Sequence, residues 1–337
     1  MAGYNRRMVT SRDVARAAGV SQATVSRVLS DGVVSESARR RVLAAMRDVG
    51  YVPNRAARAM RTGRSGTVGV VVADLENPFY PLMLDALSAA VERAGLRMIV
   101  WVATNSTNAA ALEAIRERSV DGVVFTTATE HSAELHSALE RGSPVVLVNR
   151  ALPEVACDQV SSDNDAGGAL VADYLVRHDR IRAAFIGGPP RASTSRARLR
   201  GFERRLRELG HPLRPDLVVE GEYTYDDGRR GLERMLRAAV VPNALFCGND
   251  LLALGAMDAA RAAGIRVPDD LWIVGYDDIP MSAWNAYDLT TVRQDVTETA
   301  GLAVSLLVSR VAGDDRPPVR TQFAPQLIVR GSTRHSV

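Results

Sequence analysis

The stretch from Gln22 to Arg27 carries the side chains of this sequence that are best suited to reading DNA. Gln22 and Arg27 have amide and guanidinium groups that can hydrogen-bond to base edges. Thr24 and Ser26 have hydroxyl groups that can reach phosphate oxygens. The stretch contains no acidic residue that would repel a phosphate backbone. These residue types predict a helix that places its polar face in a DNA major groove.

The residues around this stretch predict two short helices joined by a tight turn. Val14 and Ala18 are spaced i, i+4 and share one helical face. Gly19 follows where a helix C-terminus favours a residue that tolerates positive φ, and Ser21 is a good N-cap for the second helix. The apolar face of that second helix consists of Val25, Val28 and Leu29. An ordinary helical hairpin with a solvated polar face has the same spacing, so the pattern alone leaves both interpretations open.

The distribution of charge favours the DNA-binding interpretation. Residues 1–66 contain 13 Arg and four acidic residues, a net charge of +9, whereas the whole chain is +3, so the rest of the chain carries −6. A basic head on an acidic body is typical of a polyanion-binding module joined to another domain. All 42 basic residues are Arg.

Composition narrows the class of protein further. A chain of 337 residues with 46% hydrophobic residues is large enough for a small head and a well-buried body. No apolar run approaches the ~20 residues of a membrane span, and the N-terminus has no signal-peptide core. We therefore expect a cytoplasmic, nucleoid-associated protein without membrane contact. Cys157 and Cys247 have no CxxC spacing and are expected to be buried free thiols.

The residues between the head and the body predict a conditional hinge. Ser35 can cap a third helix over residues 36–49, and Pro53 prevents any continuous helix from running onward. Residues 55–62 then form two helical turns, which is below the ~12 residues that a stable isolated helix needs. We expect a hinge helix that folds only on DNA, with Met60 as its apolar wedge. A basic linker without fixed structure is the alternative.

From Thr67 onward the sequence alternates between strand and helix patterns, which predicts parallel sheets covered by helices on both faces. The predicted strands span residues 68–73, 98–103, 122–126, 145–149, 183–187, 217–219, 244–247 and 272–276. The predicted helices span residues 78–94, 109–118, 133–140, 165–177, 196–208, 227–238 and 250–263. Two such series of about 90 residues indicate two lobes, and ligands of parallel sheets bind beyond the carboxyl ends of the strands.

A set of short motifs, taken together in order, carries a resemblance to a known family. The motifs are Asp13-Val-Ala-Arg-Ala-Ala-Gly-Val-Ser21, Thr24-Val-Ser-Arg-Val-Leu29, Gly50-Tyr-Val-Pro-Asn54, Asn77-Pro-Phe-Tyr80, Val120-Asp-Gly-Val123, Asp163-Asn164, Arg198 with Gly201-Phe202, Gly248-Asn-Asp250, Val274-Gly-Tyr-Asp-Asp278, Leu289-Thr-Thr-Val292 and Val329-Arg-Gly-Ser-Thr333. Over residues 8–333 the chain closely resembles the lactose-repressor/galactose-repressor (LacI/GalR) family of bacterial transcription regulators.

The resemblance implies an α/β protein with three parts. These are a helix-turn-helix DNA-binding domain over residues 8–52, a hinge helix and linker over 53–66, and a body over 67–337 that binds an effector and dimerises. The body resembles periplasmic binding proteins, with one lobe over about 67–162 and 293–322 and the other over about 163–292 and 323–337. The implied function is a repressor of a carbohydrate-related operon that binds palindromic operator DNA as a homodimer under the control of a sugar-like effector.

Residue by residue, the resemblance places the DNA contacts at Ser21, Gln22, Ala23, Thr24, Ser26, Arg27, Asn54, Arg55, Ala57 and Met60. Ala23 has no hydrogen-bonding side chain, so direct readout should rest on Gln22 and Arg27. Met60 occupies the position of the hinge side chain that wedges into the minor groove, where most members have Leu.

The resemblance places the effector contacts at Asn77, Phe79, Tyr80, Thr126, Asn149, Thr194, Arg198, Tyr223, Asn249 and Asp277. The chemistry of this set suits a polyol, because Asp277 can accept hydrogen bonds from hydroxyls and the aromatic rings can stack on a sugar. Two alternatives stay open: Asn249 can simply cap the following helix, and Arg198 can be a surface residue. Asp278 is interpreted as structural.

Two other classes of protein fit the strand and helix pattern less well. A nucleotide-dependent enzyme lacks support because residues 68–77 contain no GxGxxG motif and the chain has no Lys for a Walker motif. The five His show no metal-binding or catalytic spacing, so we expect neither a metal nor a cofactor. An intracellular sugar-binding protein without a DNA role would not need the basic head. The sequence does not identify the effector.

Overall fold

The computed structural model of the protein describes residues 9–29, 32–52, 63–72, 75–102, 109–129, 131–237 and 241–334. The chain divides into two units, residues 1–65 and residues 66–337, which we call the head and the body. The predicted hinge helix over residues 55–62 lies outside the described residues.

The head contains three short helices, α1 (Ser11–Ala18), α2 (Gln22–Leu29) and α3 (Glu36–Asp48). The predicted roles of Gly19 in ending α1 and of Ser21 in capping α2 are confirmed. Gly19 adopts the left-handed conformation with φ 63°, and the Ser21 Oγ accepts a hydrogen bond from the Thr24 backbone N–H at 3.1 Å. The three helices pack around a small apolar core that includes Val14, Val25 and Val42, each fully buried.

The body has two lobes, each built on a six-stranded sheet, and this confirms the predicted α/β class. The first sheet has the order β11-β5-β4-β3-β1-β2 and is entirely parallel. Its strands are β1 (Thr67–Val72), β2 (Arg97–Val102), β3 (Gly122–Phe125), β4 (Val145–Val148), β5 (Asp158–Ser162) and β11 (Arg320–Phe323). The helices of this lobe are α4 (Phe79–Arg93), α5 (Ala109–Arg116), α6 (Ala133–Glu140) and α11 (Val296–Val311).

The second sheet has the order β12-β10-β9-β8-β6-β7, and only the β10–β12 pair is antiparallel. Its strands are β6 (Ala183–Gly187), β7 (Val218–Glu220), β8 (Ala244–Cys247), β9 (Trp272–Asp277), β10 (Thr290–Arg293) and β12 (Gln326–Ile328). The helices of this lobe are α7 (Asn164–Arg177), α8 (Ser193–Glu208), α9 (Tyr225–Met235) and α10 (Asp250–Ala262).

The chain passes between the two lobes three times. It leaves the first sheet after β5, returns to it after β10 through α11, and leaves it again after β11 to form β12. Neither lobe is therefore a continuous stretch of sequence. Helix α11 packs on α4 and on strands β3, β4 and β5, so it completes one face of the first lobe.

The central strands are buried on both faces, as expected for parallel strands between helices. All six residues of β1 and of β9 are buried. Pairs of small residues allow neighbouring helices to approach closely. A Cβ built on Gly168 of α7 would lie 2.1 Å from the Arg198 carbonyl oxygen on α8. No helix within the described ranges is long and apolar enough to cross a membrane.

Candidate functional site

Helix α2 presents its predicted DNA-reading residues outward. Gln22, Ala23 and Arg27 are exposed, and Thr24 and Ser26 are partly exposed. The opposite face of the helix is held by the head core through Val25 and Val28. The geometry therefore leaves the polar face of α2 available to a DNA groove.

The side chain of Gln22 is already oriented by the preceding helix. Its Nε2 donates a hydrogen bond to the Ser11 Oγ at 2.9 Å. Because an amide NH₂ has two donors, one N–H and the Oε1 remain for a base. The four other predicted DNA contacts (Asn54, Arg55, Ala57 and Met60) lie outside the described residues.

The predicted effector residues converge on one cleft of about 250 Å³ in the body. The cleft is lined by Asn77, Phe79, Tyr80, Asn149, Arg150, Thr194, Arg198, Tyr223, Asn249 and Asp277. Each of these residues ends a strand or lies in the segment that follows one, on the side where parallel sheets bind their ligands. Nine of them belong to the predicted set, and Arg150 is an addition.

Thr126 is the one predicted effector residue that does not line the cleft. It follows β3 and is fully buried. Its hydroxyl donates to the Val71 carbonyl oxygen at 3.0 Å, and its own carbonyl oxygen accepts a hydrogen bond from the Asn149 Nδ2 at 3.4 Å. Thr126 thus supports a cleft residue from behind instead of facing a ligand.

Three cleft residues have a left-handed backbone, which is uncommon for residues other than glycine. The φ angles are 68° at Asn149, 66° at Tyr223 and 110° at Asp277. Asn and Asp tolerate this region better than most residues, but the conformation still costs free energy. Such conformations cluster at ligand sites because a sharp turn at a strand end directs the side chain into the cleft.

Arg198 is the centre of a buried polar network. Its Nε donates to the Asn164 Oδ1 at 2.8 Å, and its Nη1 donates to the Gly248 carbonyl oxygen at 2.5 Å. Its Nη2 lies 3.3 Å from the Asp277 Oδ1, and the guanidinium carbon lies 3.6 Å from the centre of the Tyr276 ring. The side chain is only 3% exposed, so the alternative of a surface arginine is wrong.

Asp277 carries the carboxylate of the cleft. Burial raises its pKa to about 6, although Arg198 and a hydrogen bond from the Gln294 Nε2 at 2.7 Å act in the opposite direction. The carboxylate is therefore mostly ionised at neutral pH and becomes protonated in mild acid. Asp278 points elsewhere and pairs with Arg293 and Arg330, which agrees with its interpretation as a structural residue.

Two asparagines leave hydrogen-bonding atoms without partners. The Asn249 Oδ1 caps α10 by accepting from the Leu252 backbone N–H at 2.9 Å, so the capping alternative is correct as far as that atom goes. The Nδ2 of the same side chain is buried and makes no hydrogen bond within the described ranges, and the same is true of the Asn149 Oδ1. Unpaired buried polar atoms are costly, and a ligand that supplies hydroxyl groups would satisfy both.

Arg150 is the cleft residue that sequence reasoning missed. It is 7% exposed, and its Nη1 donates to the Thr194 Oγ1 at 3.0 Å. This bond joins the end of β4 in the first lobe to the start of α8 in the second. The only sequence signal is an Arg directly after Asn149 at a strand end, which resembles an ordinary surface turn.

Aromatic side chains supply the apolar part of the cleft. Phe79 and Tyr80 lie in the first turn of α4 with their ring centres 5.6 Å apart in an edge-to-face arrangement. The Asn77 Oδ1 accepts from the Phe79 backbone N–H at 3.1 Å and so orders the start of that helix. The Tyr223 hydroxyl lies 3.4 Å from the Thr194 Oγ1 across the cleft.

The described residues show no arrangement that could hold a metal ion, since no three His, Cys, Asp or Glu side chains cluster there. Both cysteines are buried, as predicted. Burial raises the pKa of Cys157 to about 12 and that of Cys247 well above its ordinary value, so neither thiol is a ready nucleophile.

The sequence matches known families in both units. Residues 10–54 match "Bacterial regulatory proteins, lacI family", and residues 172–333 match "Periplasmic binding protein-like domain". The chain is 31% identical to the HTH-type transcriptional repressor PurR of Haemophilus influenzae (strain PittEE), with 97% of this chain and 99% of that protein covered. It is 29% identical to the ribose operon repressor of Escherichia coli (strain K12), with 96% and 100% covered.

Solved structures give the same result. The Lac repressor dimer bound to operator and the anti-inducer ONPF superposes with a TM-score of 0.84 at 27% identity, covering 97% of this chain and 99% of that one. The complex of the transcriptional regulator CelR with cellobiose gives 0.74 at 31% identity, covering 96% and 99%. These relatives are regulators of transcription and not enzymes, which excludes the enzyme hypothesis. The chain belongs to the lacI family of bacterial regulatory proteins and is a DNA-binding transcriptional repressor whose body binds a small-molecule effector.

Proposed function

We propose that this repressor binds a palindromic operator as a homodimer and that a sugar-like effector in the cleft controls its affinity for DNA. The observation that carries the proposal is the cleft itself. It combines an ionised carboxylate, an unpaired amide donor, an unpaired amide acceptor and aromatic rings within about 250 Å³. That combination matches the alternating donors, acceptors and apolar faces of a polyol.

The proposed ligand lies in the cleft, whose roughly 250 Å³ of empty space includes volume open to solvent. The proposed contacts are Asn77, Phe79, Tyr80, Asn149, Thr194, Arg198, Tyr223, Asn249 and Asp277. The hydroxylated ligand is inferred from the chemistry of the cleft and not from the names of the relatives, which include PurR and the ribose operon repressor.

Operator recognition is assigned to α2 in the three-part arrangement of DNA-binding domain (8–52), hinge (53–66) and body (67–337). Gln22 and Arg27 would read base edges, Ala23 would offer a methyl contact, and Ser21, Thr24 and Ser26 would bond to phosphates. The exposed positions of Gln22, Ala23 and Arg27 support this assignment. The proposed site of action is the bacterial nucleoid in the cytoplasm.

Dimerisation is supported by apolar side chains that the body exposes to solvent. Edge strand β2 exposes Ile99 and Val100 at 43% and 37%, and the second lobe exposes Trp284 at 56%. Exposed apolar surface on an edge strand favours association with a partner chain. Analytical ultracentrifugation should give the mass of a dimer, and a monomer at micromolar concentration would contradict the proposal.

The DNA part of the proposal is tested by selecting bound sequences from a random duplex pool with the full-length protein. We expect a consensus with two inverted half-sites. Arg27→Ala should weaken discrimination at one position of each half-site by about 1–3 kcal/mol. Arg207→Ala, an exposed arginine of the body, is the matched control. A selected consensus without inverted symmetry would overturn the palindrome.

The effector part is tested by a thermal-shift screen of hydroxylated compounds, followed by DNA titrations with each hit. A ligand at a hundred times its Kd should stabilise the folded state by roughly 2.7 kcal/mol. Hits that act through the cleft should be lost in Asp277→Ala. If hits bind the cleft and leave operator affinity unchanged, the regulatory part of the proposal is wrong.

A further inference from the structure

We infer that the effector carries a negatively charged group, a carboxylate or a phosphate, and that Arg150 binds it. The inference rests on the proposed function, because it names the class of effector that this same cleft would take. Among hydroxylated ligands, the cleft would therefore prefer anionic sugar derivatives to neutral sugars.

The hydrogen bonds of Arg150 are incomplete. Its side chain has five N–H donors, and in the described part of the chain it forms one hydrogen bond, from Nη1 to the Thr194 Oγ1. Its Nε is inaccessible to solvent and makes no hydrogen bond to any residue that the structure describes. Across the same residues, no acidic side chain forms an ion pair with it. Arg150 lowers the pKa of Asp277, so the two charges attract each other, although they form no ion pair. Arg150 is thus a buried cation at the wall of the cleft whose charge is only partly compensated.

The acidic groups near the cleft are already engaged. The Asp277 Oδ1 takes contacts from Arg198 and Gln294. The carboxyl group of Asp250 accepts hydrogen bonds from the Ile279 backbone N–H and the Thr291 hydroxyl. The cleft therefore contains two guanidinium groups and one carboxylate, which leaves an excess of positive charge.

The start of α8 adds to this positive potential. Thr194, the partner of Arg150, lies in the first turn of this 16-residue helix, and the N-cap residue Ala192 makes no side-chain capping bond. The backbone N–H groups of a helix N-terminus carry a partial positive charge and favour anions. The unpaired Arg150 Nε and the uncapped helix thus favour the same kind of ligand group.

An anionic ligand group would correct the imbalance. A buried charge without a partner is unfavourable, whereas a hydrogen-bonded pair between a guanidinium and a carboxylate or phosphate is among the strong polar contacts in proteins. A hydroxyl group could accept a hydrogen bond from the guanidinium but would not neutralise its charge. The remaining hydroxyls of the same ligand would then reach Asn249 and Asp277.

The test compares ligands that differ only in charge. Full-length protein is titrated by calorimetry at constant ionic strength with three matched sets: glucose, glucuronate and glucose 6-phosphate; galactose, galacturonate and galactose 6-phosphate; ribose and ribose 5-phosphate. Inorganic phosphate is included as the smallest probe. We expect an anionic member to bind at least about tenfold more tightly than its neutral parent. The acid and phosphate arms identify which of the two groups is recognised.

Variants assign the effect to Arg150. Arg150→Gln should reduce the affinity for the anionic probe by about 10- to 100-fold and leave that for the neutral parent nearly unchanged. Arg150→Lys keeps the charge and should keep the preference with weaker binding. Arg207→Gln removes the same charge from the far end of α8 and should have no effect. A measurement of the melting temperature of unliganded Arg150→Gln checks that the variant folds.

Three results would overturn the inference. The first is a neutral sugar that binds as tightly as its charged counterparts. The second is an Arg150→Gln variant that weakens the binding of both equally. The third is the absence of binding by every anionic probe. A neutral sugar that binds and alters DNA affinity would refute the charge argument and leave the proposed function standing. If neutral and charged probes all fail, the sugar-like effector is refuted as well.

Discussion

Replacing Arg198 by Met should destabilise the body far more than the loss of a surface arginine. Met keeps most of the apolar stem that lies over the Tyr276 ring and removes the guanidinium. The substitution leaves the Asn164 Oδ1 and the Gly248 carbonyl oxygen without their donor, and it leaves Asp277 without its buried counter-charge. At Asp277 the hydrogen bond from Gln294 and the weaker attraction of Arg150 would remain.

The magnitude follows from the burial of the pair. Both side chains are at most 5% exposed, so solvent cannot replace the lost contacts. Removing one member of a buried ion pair costs about 3–5 kcal/mol. For a body of this size, each kcal/mol lowers the melting temperature by about 2 °C, so we expect a decrease of roughly 6–10 °C.

The destabilisation caused by Arg198→Met should also depend on pH. In the folded protein the pKa of Asp277 is raised to about 6, above its ordinary value of 3.8, so the folded state binds this proton more tightly than the unfolded state. The contribution of Asp277 to the free energy of unfolding is therefore greatest below pH 3.8 and is lost as the pH rises through 6. Without Arg198, which lowers this pKa, the penalty above pH 6 becomes larger. Arg198→Met should be more destabilising at about pH 8 than at about pH 5.

The assay is thermal and urea unfolding of wild type, Arg198→Met and a matched control at both pH values. Arg200→Met on the same helix breaks an exposed pair with Asp165 and should cost less than about 1 kcal/mol. The double variant with Asp277→Asn should recover part of the loss. If Arg198→Met costs no more than Arg200→Met, or if its cost does not change with pH, the argument from buried charge is wrong.

Three further predictions concern other parts of the body. Gly168→Ala should destabilise the body by about 1–3 kcal/mol in urea unfolding, because the added Cβ meets a backbone oxygen of α8. Gly301→Ala, in open space on α11, should stabilise the body by up to about 1 kcal/mol. Equal effects of the two substitutions would contradict the packing argument. Effector affinity measured by calorimetry should fall as the pH drops through 6, because protonated Asp277 loses acceptor capacity, and Asp277→Asn should flatten that profile. Arg310→Met should destabilise the first lobe by about 1.5–3 kcal/mol, since it breaks the pair with buried Asp158. The pKa of Asp158 in the folded protein is lowered from its ordinary value of 3.8. The stabilisation by this carboxylate is therefore present above pH 3.8 and is lost as the pH falls through the lower pKa of the folded state. If Arg310→Met remains less stable than wild type at low pH, this assignment is refuted.

Local sequence signals predicted most elements because each signal acts over a few residues. The helix Ala133–Glu140 and the strands Ala183–Gly187 and Ala244–Cys247 have the predicted bounds. Helix α8 begins three residues earlier than predicted, at Ser193, because its N-cap is Ala192 and no capping side chain marks the start.

The elements that were not predicted depend on distant partners. Strand β5 (Asp158–Ser162) is polar in sequence, yet all five of its residues are buried. Asp158 can be buried because Arg310, 152 positions further along the chain, supplies two hydrogen bonds. No local pattern contains that information. No element was predicted beyond Tyr276, where the chain crosses between lobes.

The cleft shows the same division between local and distant information. Family motifs located nine of its ten lining residues. Thr126 and Asn149 both follow strand ends, and the sequence does not reveal that the Thr126 hydroxyl turns back to Val71. Arg150 acquires its place through Thr194, 44 positions away, so its role emerges only once the lobes are assembled.

The threefold passage of the chain between lobes has a consequence for biosynthesis. The core strands of the first sheet are complete once residue 162 has been made, but α11, which covers one of its faces, ends at Val311. Ribosomes add roughly 5–20 residues per second, so the part of that face that α11 covers beside α4 stays bare for on the order of ten seconds. Its uncovered residues include Val124, Val146 and Val160. During this interval the nascent chain exposes an apolar surface of valine side chains, which favours aggregation. A chaperone that shields this surface should raise the yield of folded repressor.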